Sequence, residues 1–252
     1  MSFFFSDLLV ITKRNFLATW SMPIWIVFSA IYPILWLVLF GGLFSNLSIP
    51  VTGINYLTFF LPAMLATTTV FGALWSGFGI LFDQERGILK KIKTSPVSPS
   101  ATILGYVIAS LSGVVFQIIV ILFIAYLQNI KIDHLFVKIL PLVGTVLLLG
   151  FGLSSFSYFI ALTLKNQQLL ITIVNFISLP MLFLSSALFP LQMAPKYIQI
   201  IARANPLEHA TILLRKICIP NYIESFPIMS VIILIIFAFI MYALAFFAYK
   251  KD

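Results

Sequence analysis

The chain has 252 residues, 62% hydrophobic and only 9% charged, with a mean hydropathy of +1.13. A soluble domain must cover its surface with polar groups, so this composition excludes one; apolar runs longer than about 18 residues point to membrane-spanning helices rather than the alternating segments of a barrel. The net charge of +8 comes from cations flanking those runs, which topology and anionic lipid headgroups explain without nucleic acid, and the single cysteine, Cys218, excludes an intrachain disulfide or a Cys/His metal cluster.

Residues 1–21 are too charged to span and read as an interfacial helix on the inner leaflet. On a helical wheel Phe5, Leu8, Leu9, Phe16 and Trp20 share one side, with Asp7 and Arg14 opposite; Val10, Ile11 and Leu17 fall outside the stripe. Lys13 and Arg14 precede an apolar stretch too long for a signal-peptide core, so no cleavable leader is expected. Residues 22–44 are the first predicted span, started by Pro23, kinked at Pro33 and closed by Gly41-Gly42. An outer loop follows, with a sequon at Asn46-Leu47-Ser48. Residues 56–82 are the second span, with Pro62 inside it and Gly72, Gly77 and Gly79 as points of close helix approach.

Residues 83–99, DQERGILKKIKTSPVSP, form a polar island between two spans and so lie in water at one face. Four cations against two acids place this face in the cytoplasm. A helix over 83–93 would align Arg86, Lys90 and Lys93 on one side and Ile88 and Ile92 on another. Ser95-Pro96 and Ser98-Pro99 would stop it. Such an element is either a tether that fixes topology or a docking surface for a soluble partner.

The third span is 101–127, where Gln117 is expected to make an interhelical hydrogen bond. A short outer connection holds Lys131, Asp133 and His134. The fourth span, 136–164, carries Gly144, Gly150, Gly152, Ser154, Ser155 and Ser157 as small residues for packing; an inner turn at 165–168 leads to the fifth span, 169–189, which contains Asn175 and Pro180. Residues 190–225 are dense in proline and charge. Residues 197–204 and 207–219 read there as two amphipathic helices too short to span, a re-entrant pair with charged sides toward headgroups or an outer vestibule. The sixth span is 226–249, and Lys250-Lys251-Asp252 closes the chain inside.

These elements predict an all-α polytopic membrane protein forming one domain over 1–252. It has six transmembrane helices, an N-terminal interfacial helix, outer re-entrant helices between spans five and six, and both termini in the cytoplasm. Inner cations are Lys13, Arg14, Arg86, Lys90, Lys91, Lys93, Lys165, Lys250 and Lys251; outer ones are Lys131, Lys138, Lys196, Arg203, Arg215 and Lys216. The sequence holds no GxxxxGK[ST] phosphate loop and no H-E-x-x-H site. His134 and His209 read as interfacial side chains. No acid is expected to be buried in a span, which disfavours proton-coupled transport and makes another polypeptide the energy source. No catalytic group is visible, so the chain is not expected to be an enzyme.

Two stretches resemble the ABC-2 family of ABC transporter permeases, drug- and lipid-exporter type. Glu85-Arg86-Gly87-Ile88-Leu89-Lys90, followed by Lys93-Thr94-Ser95-Pro96-Val97, is similar to that family's ERGTL…TPV-like cytoplasmic segment. Leu184-Ser185-Ser186-Ala187-Leu188-Phe189-Pro190-Leu191, running on to Asn205-Pro206-Leu207-Glu208-His209-Ala210 and Arg215, resembles its SG…FP…P…NP…R block. Ser186 stands where a glycine is usual and Ile88 where a threonine is frequent. The resemblance implies a permease that pairs with a second permease copy, homodimer or close paralogue, and binds two ABC ATP-binding subunits. Those subunits, not this chain, would carry ATP and Mg. It implies a coupling helix that docks the ATPase through Asp83, Glu85, Arg86, Gly87, Ile88, Lys90, Lys91 and Lys93, with the N-terminal helix as second contact. It implies an outer gate including Phe189, Pro190, Pro195, Asn205, Pro206 and Arg215. The expected function is export of an amphipathic molecule across the cell membrane. A non-transporting membrane scaffold or sensor is the competing reading.

Overall fold

The structure is a computed structural model and describes residues 2–21, 31, 35–40, 42–44, 55–128, 130, 135–219, 222 and 226–251. Among the described residues it is all-helical. The elements are α1 (Ser2–Trp20), α2 (Tyr56–Leu74), α3 (Gly77–Glu85), α4 (Ile88–Lys93), α5 (Pro99–Leu127), α6 (Leu135–Leu164), α7 (Gln167–Phe183), a 3-10 turn (Leu191–Met193), α8 (Lys196–Ala202), α9 (Pro206–Cys218) and α10 (Ile228–Lys251). The expectations placed on Pro23, Pro33, Gly41, the 45–54 loop, Lys131, Asp133, His134, Pro220, Glu224 and Asp252 lie outside the described residues.

Local chemistry sets the helix starts. The side-chain oxygens of Asn55, Ser98, Asn166 and Asn205 each accept a backbone N–H in the first turn of the helix that follows. Pro99 and Pro206 then occupy the first helical position, where the missing N–H costs nothing. Ser98-Pro99, read as a helix stop, is therefore equally a helix start, two residues earlier than predicted.

Among the described residues, four segments are long and apolar enough to cross a membrane: Tyr56–Glu85, Pro99–Leu127, Phe136–Leu164 and Ile228–Lys251. α7 is apolar but only 17 residues long. Residues 35–40 and 42–44, in the second half of the first predicted span, are helical. The most extensive packing pairs α6 with α10 and α1 with α5, while α2 and α9 lie together against α6.

The second span is not one rod. It breaks between Leu74 and Gly77 and continues as α3. Ser157 of α6 bridges the break: its Oγ accepts from Gly77 N at 3.0 Å and donates to the Leu74 carbonyl at 2.5 Å. Backbone groups freed inside an apolar layer need such a partner. A Cβ on Gly77 would lie 2.8 Å from the Ser157 backbone oxygen, so glycine is required there. Of the other glycines read as contact points, Gly79 and Gly144 face open space.

The predicted helix over 83–93 is likewise two pieces. Gly87 at φ +70° separates α3 from α4, a left-handed conformation that costs glycine nothing. The fifth predicted span, 169–189, ends early. α7 stops at Phe183, and 184–190 is irregular backbone.

One end of the bundle gathers the charged elements. Asp7 accepts from Ser98 N, Gln167 Nε2 donates to both Glu85 carboxylate oxygens at 2.6 and 2.7 Å, and the Lys93 ammonium lies 4.7 Å from the centre of the Tyr249 ring. The start of α1, the 83–100 segment, the 165–168 turn and the end of α10 thus share one face. Tyr56 and the 184–205 region meet at the other, where the Tyr56 hydroxyl donates to Leu188 O.

Candidate functional site

At the charged end, α1 lies with its polar face inward. Ile11 and Asn15 are buried and Arg14 is half-buried, whereas Phe5, Leu9, Val10 and Leu17 are exposed. The fold places the two sides read on the wheel: Asp7 and Arg14 turn toward the protein, and Phe5 and Leu9 away from it. Arg14 grips Asp83 with both terminal nitrogens, Nη1 to Oδ2 at 2.7 Å and Nη2 to Oδ1 at 2.5 Å, in the bidentate geometry that matches a guanidinium to a carboxylate. The Tyr106 hydroxyl donates to the same carboxylate. The bond to Asp83 raises the Arg14 guanidinium above its ordinary value, against the opposing effect of burial. Asp83 is 8% exposed. Asp83, assigned to the docking surface, is instead buried and holds the charged segment down.

Beyond Asp83 the segment turns outward. Glu85, Arg86, Lys90 and Lys91 are exposed, Gly87, Ile88 and Lys93 are half-buried, and Leu89 beneath them is buried. Burial and the neighbouring Lys165 push the Lys93 ammonium down. What is presented is a short hairpin of two helices with three free-standing cations at its tip.

The other end is built around Ser186. Arg215, 1% exposed, donates from Nη1 to Ser186 Oγ at 2.7 Å and from Nη2 to Ser186 O at 2.6 Å. Its Nε reaches Phe59 O at 3.3 Å, and the guanidinium carbon lies 3.5 Å from the Phe59 ring centre. Glu208, two turns earlier on the same side of α9, accepts from Ser186 N at 2.5 Å. Asn205 Nδ2 donates to Met181 O and Leu184 O. Two side chains of α9 and its capping residue Asn205 thus satisfy the last carbonyls of α7 and the irregular backbone that follows. The two short helices predicted at 197–204 and 207–219 are found, as α8 and α9, within two residues of their expected bounds. Their predicted orientation is corrected: Lys196 and Arg203 are exposed, but Glu208 and Arg215 point into the fold, because unpaired backbone there needs them more than the headgroups do. Of the other residues assigned to an outer gate, Pro190 is buried, Phe189 and Pro195 are exposed, and Pro206 is the first residue of α9. His209 is buried rather than interfacial, tying Arg203 O to Ser230 Oγ at 2.8 and 3.1 Å.

Between the two ends runs a cavity of about 670 Å³, open at its side. α1, α2, α3, α5, α6 and α7 all contribute to it. Gln117, read as an interhelical hydrogen-bonder, has its Oε1 buried in the wall without a partner. Asn15 Nδ2 and Thr68 Oγ1 are likewise buried and unpartnered there.

Sequence reasoning missed Arg14 as the partner of Asp83, and Tyr106 and Ser186 as centres of polar networks. Helical periodicity ranks a residue's side; it does not pair sides across 69 or 29 residues. Among the described residues, no cluster of three or more metal-ligating side chains occurs.

Comparison with known sequences finds that the profile of the ABC-2 type transporter matches residues 6–219. The chain is 33% identical over 212 residues to a putative transport permease, ycf38, of Cyanophora paradoxa, covering 82% of this chain and 72% of that protein. It is 35% identical over 209 residues to the ycf38 protein of Porphyra purpurea, covering 79% and 69%. It is 22% identical over 204 residues to the daunorubicin resistance ABC transporter permease protein DrrB1 of Streptomyces coeruleorubidus, covering 81% and 72%.

Proposed function

This chain belongs to the ABC-2 type transporter family, and on that premise we propose that it is the permease subunit of an ATP-binding cassette exporter. It moves an amphipathic substrate, a drug, lipid, glycolipid or peptide, out of the cytoplasm or inner leaflet. ATP and Mg reside on separate ATP-binding subunits, two copies of which serve a pair of permeases in the cell membrane. Both termini and the 83–99 segment then face the cytoplasm, in keeping with the cations collected at that end.

The observation that carries this reading is the α3–α4 hairpin. Arg86, Lys90 and Lys91 stand exposed at its tip, while Asp83 and Leu89 root it in the fold. A merely topological loop needs the cations but not the rooting; a surface that transmits force needs both. In this reading Glu85, Arg86, Gly87, Ile88, Lys90, Lys91 and Lys93 make the docking surface and Asp83 is its anchor. Phe189, Pro190, Pro195, Asn205, Pro206 and Arg215 belong to the outer gate, with Asn205 and Arg215 fixing its 184–190 backbone.

Co-expression with an ABC ATP-binding subunit tests the reading. Arg86→Glu combined with Lys90→Glu should reduce the ATPase recovered with the permease and steepen the loss with salt, because exposed complementary charges steer and register an interface. Candidate substrates should stimulate the ATPase activity of the wild-type complex. Unchanged recovery in the reversed variant, with no stimulation by any substrate, would favour the scaffold or sensor reading.

A further inference from the structure

The side cavity has features that packing alone does not explain. Its volume, about 670 Å³, falls in the range of small-molecule pockets. One wall is aromatic: Phe71, Trp75, Phe78 and Phe82 follow one another down α2 and α3, and Trp75 and Phe78 are stacked at 5.4 Å and 15°. The facing wall is one stripe of α5 from Tyr106 to Gln117, about 16 Å long at the helical rise. In that wall and beside it, Gln117 (5% exposed) offers an unpartnered acceptor and Asn15 (6% exposed) an unpartnered donor. Buried polar groups are nearly always satisfied, so two orphaned atoms sealed in the walls of one cavity mark where a ligand's polar atoms fit once those side chains rotate toward it.

Charge narrows the ligand. Among the described residues, two ionised side chains line the cavity, Asp83 and Arg86. Asp83 is already neutralised by Arg14. Arg86 is exposed at the charged end. A cation would meet an occupied carboxylate and a repelling guanidinium. An uncharged or anionic molecule would meet aromatic faces, an amide acceptor and a guanidinium at the mouth.

We infer that this cavity, inside a single protomer, is a binding site for a flat aromatic amphipath that is neutral or anionic and carries an N–H or O–H donor for Gln117. The inference rests on the permease reading, since it names what that permease carries. Two glycines make it testable. A Cβ on Gly79 or Gly113 meets nothing within 4 Å, and both residues line the cavity. Leucine at either position fills the cavity without displacing a neighbour at its first carbon. Gly144 is equally open but lies outside the cavity.

The experiment uses the full chain in lipid nanodiscs, with Trp20, Trp25 and Trp36 replaced by Phe so that Trp75 is the sole donor for energy transfer. The probes are N-phenyl-1-naphthylamine (neutral), 8-anilino-1-naphthalenesulfonate (anionic) and ethidium (cationic). Saturable transfer is expected for the first two, at least tenfold weaker for ethidium. It should be lost in Gly79→Leu and Gly113→Leu and kept in Gly144→Leu. Gln117→Leu, which retains shape, should weaken both anilino probes about fivefold by removing one hydrogen bond. Unsaturable transfer, or equal transfer in the filled and control variants, overturns the site; ethidium binding as tightly as the anionic probe overturns the charge preference. ATPase stimulation in the assembled complex reports separately on the permease reading. If it persists while the filled variants bind probe normally, the cavity assignment alone falls. If the filled variants lose the probe although no ATPase assembles, the cavity stands and the permease reading falls.

Discussion

Arg215 holds Ser186 by its hydroxyl and its carbonyl at once, at 2.7 and 2.6 Å, across 29 residues of sequence. The family pattern that this stretch resembles usually places glycine at that position. The serine supplies an extra acceptor, and with Glu208 on its N–H every polar group of residue 186 is bonded to a charged side chain of α9. A charged helix face is thereby spent on satisfying irregular backbone.

Arg215→Met should destabilise the protein by about 3–5 kcal/mol, because it removes a buried cation and leaves Glu208 without a compensating charge. Adding Glu208→Gln should recover part of the loss, since the amide oxygen still accepts from Ser186 N. Thermal unfolding of the detergent-solubilised protein measures both. A double variant no more stable than the single would refute the charge argument.

Ser157→Ala should cost about 1–3 kcal/mol by leaving the Gly77 N–H and Leu74 C=O unpaired. Gly77→Ala should cost at least as much, since its methyl would press on the Ser157 backbone oxygen. The same unfolding assay applies, and a neutral Ser157→Ala would mean that water or relaxation replaces the bridge.

Arg14→Gln and Asp83→Asn should each weaken the seating of α1, with a coupling energy of about 0.5–3 kcal/mol in the double-mutant cycle. The sign of the pH effect is fixed. Arg14 is raised above its ordinary value in the fold, so its contribution is fully present below that value and is lost only as pH rises through the higher folded one. The Arg14→Gln deficit should therefore be constant across the neutral range. A deficit that fades between neutral and mildly alkaline pH would contradict the ion-pair assignment.

Cys218 is buried, and burial pushes its thiol up to about 12. Only about one part in 10⁵ is thiolate at neutral pH, so a membrane-permeant maleimide should leave it untouched until the protein is denatured. Cysteines introduced at Lys91, Lys165 and Lys196, all exposed, can then be read against that silent background. Positions 91 and 165 should label only with reagents that reach the cytoplasm, and 196 from outside. Labelling of 91 from outside in intact cells would invert the proposed topology.

Much of this architecture is written locally. The caps at Asn55, Ser98, Asn166 and Asn205 and the prolines after two of them depend on neighbours within three residues, so the helix starts and the pair of short outer helices were legible in the sequence. For α1 the wheel separated Phe5 and Leu9 from Asp7 and Arg14 without saying which side meets the protein; the exposed side carries Phe5, Leu9 and Val10, as suits a helix beside lipid. The break after Leu74 was invisible, since the apolar run continues unbroken through Trp75 and its stabilising hydroxyl arrives from 80 residues away. Gln117 was noticed as the odd polar residue of its span, but its lack of a partner exists only in three dimensions.

The interruption at Trp75 and Ser76 makes α3 and α4 a lever. Continuous helical hydrogen bonding would weld that arm to α2; instead Ser157 of α6 bridges it at the fulcrum, and Arg14 of α1, Tyr106 of α5 and Gln167 hold it near the far end. A load applied at Lys90 and Lys91 is therefore shared sideways with α6 and α1 before it travels along the chain's own axis. The aromatic wall straddles the fulcrum, Phe71 on the fixed side and Phe78 and Phe82 on the arm. A swing of the arm would change the spacing of those rings, so displacing the α3–α4 hairpin would alter the width of the cavity.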